Sequence, residues 1–102
     1  MNDSELLEAA AKAAGYVPQG MEDGRLYVFG LQDGWNPLDN DGDAFRLAVK
    51  LRMHISHYQG GTVTADQWGR ERREDCSREG EDYSAATRRA VVRAAAEIGG
   101  AA

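Results

Sequence analysis

The chain has 102 residues, so a single domain spanning residues 1–102 is expected. Its net charge is −5. Alanine accounts for 16 residues, whereas Leu, Val, Ile and Phe together number only 17, so the hydrophobic core is expected to be small. A small core favours binding of a partner or self-association into a homodimer. Composition excludes a membrane-spanning segment, indicates no signal peptide, and leaves a single cysteine, Cys76, which cannot form an internal disulfide and suits a reducing cytoplasm.

The first predicted element is a helix that starts at Asn2 and stops at Gly15. Asn2 and Glu5 have the spacing of a capping box, and Gly15 followed by Pro18 is typical of a helix end. The apolar face consists mostly of alanine. Such a face predicts close packing against a neighbouring element.

A short apolar run, 25–31, follows a glycine-flanked turn at 20–24. Aromatic and branched residues without interruption are typical of a strand that is buried on both faces. The sequence therefore predicts that 26–31 is the most buried strand of the protein, and that a loop beginning at Gly34 ends it.

A second helix is predicted over 44–51, with Asp39 or Asn40 as its cap. Its polar stripe is narrow, since only Asp43, Arg46 and Lys50 fall on it. A helix that is apolar over so much of its circumference is expected to be covered on more than one side.

The second half of the chain combines a hairpin, a charged stretch and a helix. Segments 53–58 and 62–65 flank Gly60 and Gly61, which is a hairpin signal. The stretch 69–82 is almost devoid of apolar residues and predicts a mobile loop.

The last predicted helix has an apolar face made of Tyr83, Thr87, Ala90, Val91, Ala94 and Ile98. Asp82 or Ser84 is expected to cap it. Gly99 and Gly100 are expected to end it, with a frayed tail over 99–102.

The order helix, strand, helix, strand, strand, helix predicts an α+β fold. Because a strand buried on both faces needs a layer on each side, we expect a three-layer α/β/α sandwich. Its sheet would be small, with about three mainly antiparallel strands.

Asp39, Asp41 and Asp43 alternate in the manner of a calcium loop. An EF-hand loop starting at Asp39 would need glycine at the sixth position and glutamate at the twelfth, where Ala44 and Lys50 stand. Helix capping is therefore the main interpretation of the three carboxylates, and a weak divalent-ion site is the alternative.

Neither the histidines nor the cysteine predicts a catalytic or metal centre. His54 and His57 are three residues apart on a predicted strand, so they point to opposite faces. Cys76 has no base near it in sequence. We expect no catalytic residues, no metal site and no cofactor, whereas a deep pocket lined by His54 or His57 with a carboxylate would indicate an enzyme.

Arginines in the second half suggest nucleic acid as an alternative ligand. Arg88, Arg89 and Arg93 are predicted on the outer side of the last helix, with Trp68 and Tyr83 as stacking platforms. Six acidic residues interleave with arginines in the preceding loop and weaken the attraction of phosphates. Nucleic-acid binding is therefore the less favoured interpretation.

Protein binding is the favoured interpretation. The candidate interaction surface comprises Trp35, Asn36, Pro37, Trp68, Arg88 and Arg89. Trp35, Phe45 and Trp68 could act as anchors, because large aromatic groups are frequent at interface hot spots. For Trp35 the alternative is a ring that closes the core beneath the second helix.

Two blocks resemble a known family. The segments 35–37, 41–44 and 46–51 look like the central signature of small phage and prophage proteins of the phage ABA sandwich family, and 86–98 looks like their final helix. The resemblance covers roughly residues 5–99. It implies a three-layer helix/sheet/helix fold and a phage or prophage origin, and it carries over no activity and no catalytic residues.

The sequence thus predicts a non-enzymatic phage or prophage accessory protein in the cytoplasm of a bacterial host. It would act by binding a phage or host protein, with no membrane contact. Nucleic-acid binding or processing through the arginine-rich second half stays open as the alternative.

Overall fold

The computed structural model describes residues 2–31, 33–58, 62–67, 73–77 and 82–100. Its elements in chain order are α1 (Asp3–Ala13), β1 (Pro18–Glu22), β2 (Arg25–Val28), α2 (Asp41–Lys50), β3 (Met53–His57), β4 (Thr62–Gln67), β5 (Arg73–Ser77) and α3 (Tyr83–Gly100). Two strands, β1 and β5, are additional to those expected.

Helix α1 is capped at both ends as predicted. The Asn2 side chain accepts from the Glu5 backbone N–H at 2.9 Å, and the Glu5 carboxylate accepts from the Asn2 N–H. At the other end Gly15 has a φ of +82°, and Tyr16 N–H donates to the Ala11 carbonyl at 2.9 Å. This Schellman-type closure turns the chain sharply toward β1.

Strands β1 and β2 form an antiparallel hairpin. Asp23 and Gly24, which connect them, have φ values of 53° and 76°, and two consecutive positive φ angles are what a type I′ turn requires. The turn predicted over 20–24 is therefore confined to Asp23 and Gly24. The residues before them belong to a strand.

Strand β2 is shorter and less buried than predicted. Leu26 and Val28 are buried, but Phe29 is 73% exposed and Leu31 is also exposed. Burial alternates along β2, as in a strand with one solvent-facing side. The expectation of a strand over 26–31 that is buried on both faces was wrong.

Among the strands whose burial is described, the one with consecutive buried residues is β4, the centre of a three-stranded antiparallel sheet in the order β3-β4-β5. Val63, Thr64 and Ala65 are all buried. The predicted hairpin is confirmed, because His57 pairs with Val63, while Gly60 and Gly61 lie outside the described residues.

Strand β5 occupies part of the stretch that was expected to be a mobile loop. Its residues pair with β4 from Thr62↔Ser77 to Asp66↔Arg73. The loop prediction for 69–82 was therefore wrong over 73–77. Residues 69–72 and 78–81 lie outside the described part of the chain.

Helix α3 is covered on more than one side, whereas α2 is not. α3 packs against α1, α2 and the three-stranded sheet, and Val91 and Val92 are both buried although they are adjacent. On α2 only Ala44, Leu47 and Ala48 are buried. Burial on more than one side was predicted for α2, and that prediction was wrong.

Gly99 lies inside α3, where it contacts α1. A Cβ at this position would lie 2.8 Å from the Ala13 nitrogen and closer still to the Ala9 carbonyl oxygen. Gly99 therefore permits a close helix approach and does not end the helix. Gly99 and Gly100, which were expected to belong to a frayed tail over 99–102, are part of α3, and residues 101 and 102 lie outside the described part of the chain.

The predicted α+β class, with helices packed on a small antiparallel sheet, is confirmed. The strands are divided between two sheets, however, and do not form one. In the part of the chain that the structure covers, no helix has the length and apolarity that crossing a membrane would require.

Candidate functional site

The segment Trp35–Pro37 joins the β1–β2 hairpin to α2. The Asn36 side-chain amide donates to the Gly24 carbonyl at 2.8 Å, and its Oδ1 accepts from Leu38 N–H at 3.0 Å. Its backbone N–H donates to Asp43 Oδ2 at 3.0 Å. Because the backbone N–H and both side-chain polar atoms of Asn36 are hydrogen-bonded within the protein, this residue has a structural role.

Trp35 is 3% exposed and belongs to the core. Its backbone pairs with Leu26 through hydrogen bonds of 2.8 and 2.9 Å, and its ring meets Tyr16 edge to face with centroids 5.6 Å apart. Of the two interpretations of Trp35, burial supports the ring that closes the core. Pro37 is also fully buried, and Trp68 lies outside the described residues.

Arg88 does not lie on an outer basic face. Its side chain is 15% exposed, with Nε donating to the Leu38 carbonyl at 2.9 Å and Nη1 paired with Asp41 at 2.6 Å. Arg89 lies 3.5 Å from Asp3. Both arginines thus pair with acids from the first half of the chain, which lowers the positive charge that they were expected to present on the outer side of α3.

The aspartates in the first turn of α2 bind other groups of the protein. Asn40 is the helix cap and accepts from Asp43 N–H at 2.8 Å, which confirms one of the two predicted caps. Asp43 binds Arg46 at 2.8 Å, and Asp41 binds Arg88. Among the described residues no group of three or more acidic, histidine or cysteine side chains could hold a metal ion.

A groove opens between α2, β3 and α3. It has a volume of about 380 Å³, is open to solvent, and has a mainly apolar lining. Its lining includes Ala44, Phe45, Ile55, Tyr83 and Val91. Phe45 is 70% exposed, and Ile55 and Tyr83 are also partly exposed.

His57 and Thr87 form the polar edge of this groove. His57 Nε2 lies 2.9 Å from Thr87 Oγ1, and the Thr87 hydroxyl donates to the Tyr83 carbonyl at 2.7 Å. With its hydroxyl proton directed to the Tyr83 carbonyl, Thr87 accepts from His57 in the tautomer that carries a proton on Nε2.

The groove does bring together a histidine and a carboxylate, since Asp41 also lines it. It is an open groove and not the deep pocket that would indicate an enzyme. Moreover, the Asp41 carboxylate is bound by Arg88. His54 is not among the residues that line the groove, which fits the predicted divergence of the two histidines along β3.

Sequence reasoning identified Phe45 as an anchor but missed the groove in which it lies. It placed Phe45 and Val49 on a helix that was expected to be covered on more than one side, yet both side chains are exposed. The signal that could have revealed the groove is the spacing of four residues between Phe45 and Val49, which puts two large apolar groups on one flank of α2.

Comparisons with protein-family models, with curated proteins and with solved structures found no match to this chain. The resemblance to the phage ABA sandwich family therefore stays a prediction.

Proposed function

We propose that this protein is a non-enzymatic accessory protein of a phage or prophage, acting in the bacterial cytoplasm by protein–protein contact. The contact surface would be the groove between α2, β3 and α3. This differs from the surface suggested by sequence, because Trp35 and Pro37 are buried and Arg88 is nearly so.

The observation that carries the proposal is the distribution of large apolar residues. The core is filled largely by alanine, whereas both phenylalanines of the chain are at least 70% exposed. Exposing a large apolar side chain costs about 1.5–3 kcal/mol relative to burying it. Around Phe45 the exposed apolar surface is contiguous, because Ile55 and Tyr83 of the same groove are also exposed. Contiguous apolar surface is typical of a binding site.

The chemistry of the groove supports binding over catalysis. Of its polar side chains, His57 and Thr87 are hydrogen-bonded to each other and Thr87 to the backbone of α3, while Asp41 and Arg88 form an ion pair. They can orient a partner without reacting with it. The ion pairs of Arg88 and Arg89 lower the positive charge that nucleic-acid binding would need.

The proposal is tested by capture from a nuclease-treated bacterial lysate, with three versions of the protein as bait. We expect wild type to retain a specific protein, Phe45→Ser to lose it, and Phe29→Ser to retain it. Phe29 is a matched control because it is equally exposed but lies on β2's side of the molecule, next to Val17. Signal that disappears with nuclease, or equal capture by all three, would contradict the proposal.

A further inference from the structure

We infer that the partner at this groove is a second copy of the same chain, bound about a two-fold axis with the two α2 helices antiparallel. The inference rests on the proposed function, since it names the occupant of the same surface. It follows from the order of residues along the exposed flank of α2.

Three residues of α2 share that flank, Asp41, Phe45 and Val49, and at 3.6 residues per turn they fall within a sector of about 80°. A fourth residue, Arg52, lies just beyond the C-terminal end of the flank, where its φ of 53° takes it off the helical repeat. All four are exposed, and the Asp41 side chain is 75% exposed despite its bond to Arg88.

The flank is complementary to itself. It has an acid at one end, two apolar side chains in the middle and a base at the other end. In an antiparallel pair, Phe45 of one copy faces Val49 of the other, and Asp41 faces Arg52 at each end. A two-fold interface requires this kind of pattern, because the same surface must serve both copies.

A parallel arrangement would place like charges opposite each other at both ends of the helix. It would also point the two helix dipoles in the same direction, which is unfavourable, whereas antiparallel packing points them in opposite directions. Charge therefore selects the antiparallel register and makes the second copy a better fit than an arbitrary apolar segment.

A stable dimer through α2 requires that the groove take part. A standard interface covers about 800 Å² on each partner, which is about an eighth of the 6278 Å² surface of this protein. A ten-residue helix is only about 15 Å long, so α2 alone is too small. Ile55 and Tyr83, at the groove beside Phe45, extend the apolar area onto β3 and α3.

Sedimentation of the purified protein over a range of concentrations tests the inference. We expect a monomer–dimer equilibrium whose dissociation constant rises by about tenfold or more in Phe45→Ser, because a two-fold axis places each substitution in the interface twice. Phe29→Ser should leave the constant unchanged. Arg52→Asp should weaken the dimer, and Arg52→Lys should preserve it. Position 52 has a φ of 53°, which aspartate tolerates well.

Far-UV circular dichroism of each variant separates lost association from lost folding. Because Phe45 and Arg52 are exposed, their variants are expected to keep the helical signal of the wild type. A monomer at all concentrations would overturn the inference, and so would a dimer that Phe45→Ser leaves intact. Neither result decides the proposed function. If the monomeric wild type still captures a lysate protein through Phe45, the protein-binding function stands and only the identity of the partner is wrong.

Discussion

The contact between α1 and α3 and the outer flank of α2 use apolar residues in opposite ways. At the first, alanine and Gly99 bring two helices so close that one added methyl group would overlap the backbone. At the second, Phe45 and Val49 extend into solvent. Small residues lie where α1 and α3 meet, whereas the large side chains of Phe45 and Val49 lie where nothing in the described chain covers them.

This difference separates two kinds of stabilisation. Close helix approach gains dispersion contacts from many small groups, and each gain depends on exact fit. A large apolar flank contributes little to folding while it stays exposed, and contributes to association once it is covered. The α1–α3 contact should therefore be sensitive to added volume, whereas the flank of α2 should tolerate truncation in the folded monomer.

The largest effect is expected within α2 itself. Leu47→Ala should destabilise the protein by about 2–5 kcal/mol, because it removes a buried side chain and leaves a cavity. Val49→Ala, on the exposed flank two residues away, should change the free energy of unfolding of the monomer by no more than about 0.5 kcal/mol. Urea denaturation at a protein concentration below the dimer dissociation constant measures both. Equal losses would mean that α2 is covered on both sides.

An added methyl group at the α1–α3 contact should have the next largest effect. Gly99→Ala should cost about 1–2 kcal/mol, since overpacking outweighs the gain of about 1 kcal/mol in helix propensity. Gly100→Ala is the matched control, because Gly100 is helical and exposed, and it should be neutral or slightly stabilising. Thermal unfolding of the pair measures the difference. If Gly99→Ala proves as stable as Gly100→Ala, the helices are not in close contact there.

Arg88 links the two regions, because it is on α3 and binds Leu38 and Asp41 at the start of α2. Arg88→Met keeps most of the apolar stem but loses both hydrogen bonds, and should cost about 1.5 kcal/mol. Arg89→Met loses only a more exposed ion pair and should cost less than about 0.5 kcal/mol. Chemical denaturation of both variants would contradict this ranking if Arg89→Met were the less stable.

The smallest effect is expected at the beginning of α2. Asn40→Ala should cost about 1 kcal/mol because it removes the acceptor for Asp43 N–H. Asp39→Ala should cost less, although sequence offered Asp39 as an equal alternative for the cap. Comparing the two urea midpoints decides which residue caps the helix, and a larger shift for Asp39→Ala would reverse the assignment.

Local signals were predictable from sequence because they depend on neighbours in the chain. The capping box at Asn2, the closing glycine at Gly15 and the cap at Asn40 each involve residues within about one turn. The hairpin over β3 and β4 is of the same kind. The β1–β2 hairpin could have been predicted too, since Asp23-Gly24 is a strong type I′ signal.

Burial was not predictable in the same way, because it depends on what other elements do. The strand β2 is more apolar than β4, yet β4 is the central strand of its sheet. Helix α2 is as apolar around its circumference as α3, but α3 has neighbours on several sides. Gly99 shows the same ambiguity, since a helix end and a close helix contact both favour a residue without a side chain.

The packing of α1 on α3 also has a consequence for the rate of folding. Asp3 lies near Arg89 and Ala9 lies near Gly99, so the two helices run parallel and their contacts join positions about 90 residues apart. Closing so large a loop has a high entropic cost before any contact compensates it, which slows folding. On the ribosome, α1 must wait for nearly all of the intervening chain before it meets α3, with its alanine face uncovered in the meantime.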